Sequence, residues 1–263
     1  MEQLSVDARR SELGDFLRSR RDRLRPETLG LVSRRRRRTP GLRREEVAEI
    51  AGIGVDWYIR LEQGRAVTPS LTTVDALARA LRLDEHEHEH LRALAAITRR
   101  KAFRLEQAPE AIIRLLENLA QPAYVTGRRL DVIAWNTAAA ALFGFDRVAE
   151  ADRNILILIL TDPRMRALFG PAWAAEAQRS VALFRATHDL WAGDPAFMEL
   201  LERLRNGCGE FEKWWDRHDL RTPASGQKVL HHPERGLLRF NYASFQSNDD
   251  PALKLVIYTP APD

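Results

Sequence analysis

The sequence predicts a chain in two parts: an all-α domain of five helices over residues 1–104, then an α+β domain with an antiparallel sheet over 105–263. Three observations predict it. A chain of 263 residues is longer than one typical domain. Apolar residues recur at helical spacing through the first part, and short β-rich runs bounded by turn residues open and close the second. Charge divides the same way. Residues 1–104 hold 23 Lys and Arg against 16 Asp and Glu, a net +7, whereas 105–263 hold 18 against 21, a net −3.

The first helix runs from about Ser11 to Leu24, with Leu13, Phe16, Leu17 and Leu24 as its apolar stripe. An irregular basic loop follows, from Pro26 to Pro40. Leu42 to Gly64 then reads as two short helices joined by a tight turn. Val47, Ala48 and Ala51 share one face of the first of these, and Tyr58 and Leu61 bury the second. Gly52-Ile53-Gly54 makes the corner, where Gly52 suits a left-handed backbone. Gly64 is a stop signal. That is a helix-turn-helix, whose second helix enters the major groove of DNA. The fourth helix spans about Leu71 to Leu81 behind an Ser70 N-cap, the fifth about Asp84 to Arg99.

Arg99-Arg100-Lys101 and Gln107-Ala108-Pro109 mark the boundary, and Glu110 to Leu119 reads as a connecting helix. Ala123–Val125 and Leu130–Trp135 read as strands about a turn at Gly127, and Thr137 to Phe143 as a helix. Short helices broken at Pro163, Pro171 and Pro195 fill about 150–215. Strands return at Lys228–His231, Gly236–Phe245 and Leu253–Thr259. Two strands, a helical middle and three final strands suggest a PAS-like sheet.

Composition bounds the class. With 44% apolar residues the chain can bury real cores. One cysteine, Cys208, excludes an internal disulfide framework and fits a reducing compartment. The polar start lacks a secretory apolar run, and the longest apolar run, Ile155 to Leu160, is far too short for a bilayer. A cytoplasmic protein with no membrane partner is expected. The run Arg34 to Arg38 lies beside the helix-turn-helix, so Arg36 and Arg37 are expected to contact phosphate.

RRTPGLRREEVAEIAG, WYIRLEQGR and PSLTTVDALARAL resemble the Cro/XRE-like helix-turn-helix of the MmyB-like transcriptional regulators. RNILILILTDPRMRALF, EFEKWWDRHDLR, HHPERGLLRFNYASF and LKLVIYTPAP resemble the ligand-binding domain of the same family, in the same order. The resemblance covers nearly the whole chain. It implies a five-helix Cro/lambda-repressor-like domain followed by a PAS-like sensor. By position in the motif, Val55, Asp56, Trp57 and Arg60 fall on the leading and exposed face of the recognition helix. Arg60 suits guanine O6 and N7. Asp56 either accepts from cytosine or complements the helix dipole. Trp57 either meets a thymine methyl or packs in the core. Arg43, Arg44 and Arg65 are phosphate candidates.

Other constellations carry less. Asp84 to His90 places His86 and His90 on one helix face, but acids there suit a helix N-terminus without any metal. His231 and His232 face opposite sides of a strand, so at most one can join His218. Cys208 has no base partner near it in sequence. No metal site, cofactor or catalytic constellation is expected, and an enzyme is disfavoured. Five of the six tryptophans fall in the second domain. Their composition alone favours a packed core, whereas the resemblance implies a concave apolar cavity. Trp135, Phe240 and Tyr242 are candidate walls, and Arg185, His218 and His231 candidate polar groups. An elongated apolar acid, such as a fatty acid, fits that description. The sequence therefore reads as a ligand-responsive regulator of double-stranded DNA, acting as a homodimer. The alternative is a regulator whose second domain is a ligand-free dimerisation or protein-interaction module.

Overall fold

The computed structural model describes residues 2–29, 41–96, 102–221 and 225–261, with the side chains of 2–5 left aside. Within it the chain forms two compact units. One comprises residues 1–102 and a returning segment, His188–Met198; the other comprises 103–187 and 199–263. A single division at 104/105 therefore omits the returning segment.

The helical unit contains α1 (Glu2–Arg23), α2 (Arg44–Ala51), α3 (Val55–Glu62), α4 (Leu71–Ala80) and α5 (Glu85–Ala95). Its core gathers Leu13, Phe16, Leu17, Val47, Tyr58, Leu61, Val74, Leu77, Leu91 and Leu94, the positions that helical spacing selects. Gly52 sits in the left-handed region at φ 66°, and its N–H and that of Ile53 close the end of α2. Ser70 caps α4 by accepting from the Thr73 N–H. Asp84 caps α5, with Glu87 completing a capping box. Two boundaries differ from expectation: α5 ends at Ala95 rather than near Arg99, and α1 begins at Glu2 rather than near Ser11. Arg9 supplies a reason, because its guanidinium donates to the carbonyls of Ala93 and Ala96 and satisfies the end of α5.

The second unit carries a five-stranded antiparallel sheet in the order β2-β1-β5-β4-β3, an arrangement that closes a PAS-like domain. The strands are β1 (Ala123–Thr126), β2 (Val132–Trp135), β3 (Gly226–His232), β4 (Gly236–Gln246) and β5 (Lys254–Pro260). Helix α6 (Glu110–Asn118) covers one face: Ile112 and Leu116 pack with Val125, Leu255 and Ile257. The helical middle comprises α7 (Thr137–Phe143), α8 (Ile155–Thr161), α9 (Pro163–Phe169), α10 (Trp173–His188), α11 (Pro195–Gly207) and α12 (Phe211–Trp215). Proline opens α9 and α11 at the position where a missing N–H costs nothing. The run ILILIL alternates β-branched Ile with Leu, spaced as a strand would be, yet forms α8. Asn154 accepts from the Leu156 and Ile157 N–H groups, and Leu156 to Leu160 are all buried, so tertiary burial overrides local preference.

Candidate nucleic-acid interface and ligand cavity

Helix α3 presents two faces. Tyr58, Leu61 and Glu62 are buried, whereas Val55, Asp56 and Arg60 are exposed and Trp57 is half-buried. Arg43 and Arg65 are exposed beside it, and Arg43 uses its backbone N–H to reach Glu46. Arg44, a phosphate candidate by position, has a structural partner in the fold. Its Nε donates to Glu62 Oε1 at 2.8 Å, so its half-exposed guanidinium braces α2 against α3. Arg21 of α1 grips the same carboxylate through two bonds of 2.8 and 2.9 Å. Burial would raise the Glu62 pKa, but the hydrogen bonds and charges of Arg21 and Arg44 outweigh it and hold the carboxyl below its ordinary range. Three helices thus meet at one charge and fix the pitch of α3. Arg36 and Arg37 lie outside the described residues.

The face of the sheet turned away from α6 lines a cavity of about 80 Å³. Alternate residues of each strand point into it: Tyr124 and Thr126 of β1, Tyr242 and Ser244 of β4, and Lys254, Val256 and Tyr258 of β5. Leu130 and Ile155 add aliphatic wall, and α10 adds Glu176, Arg179, Ser180 and Leu183. Three of its four cations reach a carboxylate, two of them the same one. Lys228 Nζ pairs with Glu176 at 2.5 Å and lies 4.5 Å from the Tyr242 ring centroid. Arg179 is 3.8 Å from the same carboxylate. Arg128 pairs with Glu106. Lys254 is the exception: among the described residues no ion pair reaches it, and burial alone pushes its pKa down. Tyr124 and Tyr258 stack at 6.2 Å, and burial raises both hydroxyl pKa values. They remain neutral hydrogen-bonding groups. A larger open cleft of about 390 Å³ is lined by Asp152, Asp162, Arg164 and Arg203, but those charges pair with one another as Arg164–Asp162 and Arg203–Asp152.

A family model described as the MmyB-like transcription regulator ligand binding domain matches residues 108–263, more than half of the chain. The chain belongs to the MmyB-like transcription regulators. A helix-turn-helix domain model matches residues 12–91 of this regulator, over the helices just described. It is therefore a DNA-binding transcription regulator with a ligand-binding domain. No curated protein matches it. No described helix is long and apolar enough to cross a membrane.

Of the expected wall and polar groups of the regulator's sensor, Tyr242 lines the cavity and the rest do not. Phe240 stands one ring behind, edge-on to Tyr258 at 5.9 Å. Trp135 donates its indole N–H to Asp146 at 2.7 Å. Arg185 is consumed by the Trp215 carbonyl at 3.0 Å and by His218 Nδ1 at 2.8 Å. His231 is exposed, with its ring against Gly170. Sequence reasoning missed Lys254, Lys228, Arg179, Tyr124 and Tyr258. A signal existed: three of the four tyrosines, and a lysine alternating with Val256 and Tyr258 in an apolar strand, point to one face.

Proposed function

We propose that this regulator senses a carboxylate-bearing apolar ligand in the β-sheet cavity and converts its occupancy into altered operator affinity. The carrying observation is Lys254, a half-buried cation with no acidic partner among the described residues, on the wall of a cavity whose other cations, Lys228, Arg179 and Arg128, each reach a carboxylate. An anion there gains a charge-assisted bond and relieves the burial of the ammonium. Tyr124, Tyr258 and Ser244 offer further donors, and Leu130, Ile155, Leu183 and Val256 offer apolar contact. At about 80 Å³ the cavity is small beside the roughly 300–1,000 Å³ of drug-sized sites. It suits the headgroup and first carbons of a fatty acid; a longer chain requires the aliphatic walls to part. On DNA, the exposed Arg60, Val55 and Asp56 would read base edges, and Arg43 and Arg65 would hold phosphates. The reading places the regulator in the cytoplasm as a homodimer.

Small molecules released from purified wild type and Lys254→Met, identified by mass spectrometry, test the sensor reading. The expected result is a carboxylic acid from wild type, strongly depleted in the variant. Equal recovery from both removes Lys254 as the anchor. Release of nothing, with operator affinity unmoved by added fatty acids, favours a ligand-free interaction module instead.

A further inference from the structure

In the helical unit, a second cluster of titratable groups lies apart from the DNA-reading face. Glu12 projects from α1, and His188 and Asp189 come from the returning segment, whose short 3₁₀ turn Asp189–Trp191 packs against α1 and α5. One ligand atom from each of the three lies within 4.8 Å of the other two. His188 and Asp189 are buried and Glu12 is half-buried. His90 of α5 stands behind them, its Nε2 3.1 Å from Asp189 Oδ2, and the His90 ring lies edge-on to Phe16 at 5.2 Å.

We propose that Glu12, His188 and Asp189 bind a divalent transition-metal ion of the zinc class, with His90 as the positioning residue. Zinc takes imidazole nitrogen and carboxylate oxygen at roughly 2.0–2.2 Å, so neighbouring ligand atoms around a tetrahedral ion stand roughly 3.3–3.5 Å apart. The 3.4 Å between His188 Nδ1 and Asp189 Oδ1 is long for a hydrogen bond to a carboxylate but already has that spacing. The remaining separations are within 4.8 Å, so the third ligand closes by at most about 1.5 Å to complete the face. Two carboxylates and a neutral imidazole match a doubly charged ion. Three protein ligands leave one position for water. His90 binds one oxygen of the Asp189 carboxylate and orients the other, as outer-shell partners of metal ligands do. The apolar surround of Phe16 and Phe197 excludes water from the ligands' flanks, the latter ring lying 6.4 Å from that of His188. Binding would tie the returning segment to the first helix of the DNA-binding unit, which adds a metal input independent of the sheet cavity.

The test uses untagged full-length protein, stripped with a chelator and dialysed against zinc in the presence of a competing chromogenic chelator. One zinc per chain is expected for wild type. It is also expected for His86→Ala/His88→Ala and for His231→Ala/His232→Ala, which remove the other histidine groups. Glu12→Gln and His188→Gln are expected to lose it, and His90→Ala to weaken it about 10–100-fold. Cobalt in place of zinc should give the visible absorption of a four-coordinate ion in wild type and in the two control variants, and not in Glu12→Gln or His188→Gln. Circular dichroism checks each fold; if His188→Gln does not fold, the conservative Glu12→Gln carries the test. Retention of no zinc by wild type, or stoichiometric zinc in a folded Glu12→Gln, overturns the assignment.

Discussion

Glu62 is the residue on which the DNA-reading half turns. It shows 1% exposure while holding Arg21 and Arg44. Removing one partner of a buried ion pair leaves the other charge uncompensated, which costs about 3–5 kcal/mol, whereas an exposed pair is worth about 0–1 kcal/mol. Glu62→Gln is therefore expected to lower the stability of the helical unit by several kcal/mol in urea unfolding. Arg44→Ala, from a side chain that is 39% exposed, should cost clearly less. Equal costs would show that the hub is not organised around the carboxylate. The same group sets a pH dependence. Its folded pKa is lowered, so its contribution is fully present above the ordinary glutamate value of about 4.3 and is lost as pH falls below that through the folded value. Wild type should lose stability across that acid range more steeply than Glu62→Gln. Neither the burial of Glu62 nor the capture of Arg44 was legible in LRREEVAEIAGIGVDWYIRLEQG, because a carboxylate at the end of an exposed-looking helix reads as solvated until α1 brings Arg21 to it.

At the scale of the element, the helix-turn-helix was legible almost to the residue, since period, corner glycine and cap each point the same way. What the sequence did not show is how tightly α1 crosses it. A Cβ on Gly14 would lie 2.4 Å from the Glu62 carbonyl oxygen. Alanine gains about 0.5–1 kcal/mol of helix preference over glycine, but forced overpacking costs about 1–3 kcal/mol. Gly14→Ala should thus be net destabilising in thermal or urea unfolding; a stabilised variant would mean that α1 shifts freely. Arg60→Ala is expected to relax discrimination at one base pair by about 1–3 kcal/mol, read by binding to a panel of operator variants. Uniform weakening over the panel would make Arg60 a phosphate contact. Arg36→Ala with Arg37→Ala should weaken all sequences alike and reduce the salt slope by about one to two units. The sheet elements were legible for the same reason as the helices. The cavity was not, because a strand's alternation says which residues share a face but not which face closes over a space.

For the whole molecule, the sequence shows two parts but not the return of His188–Met198 to the first, since no periodicity marks a segment that docks through the short turn Asp189–Trp191 against α1 and α5, with His90 3.1 Å from Asp189. A homodimer is the expectation that the arithmetic of recognition sets. The exposed face of α3 offers Val55, Asp56, half-buried Trp57 and Arg60, enough for a few base pairs and too few to single out one genomic site. Two copies related by a two-fold axis double the readout and demand a near-palindrome, with half-sites about 34 Å or a multiple apart. Helix α6 offers apolar side chains for pairing. Ile112 and Leu116 are taken by the sheet, while Ile113 and Leu115, on the two flanks of that buried stripe, are 39% and 47% exposed. Homodimers are therefore expected at micromolar concentration, with one dimer per palindromic operator, and Ile113→Lys with Leu115→Lys should weaken dimer and operator binding together. Sedimentation that shows a monomer both free and on DNA would sink the two-fold model. A dimer unmoved by the double variant would keep the symmetry and remove α6 from its seam.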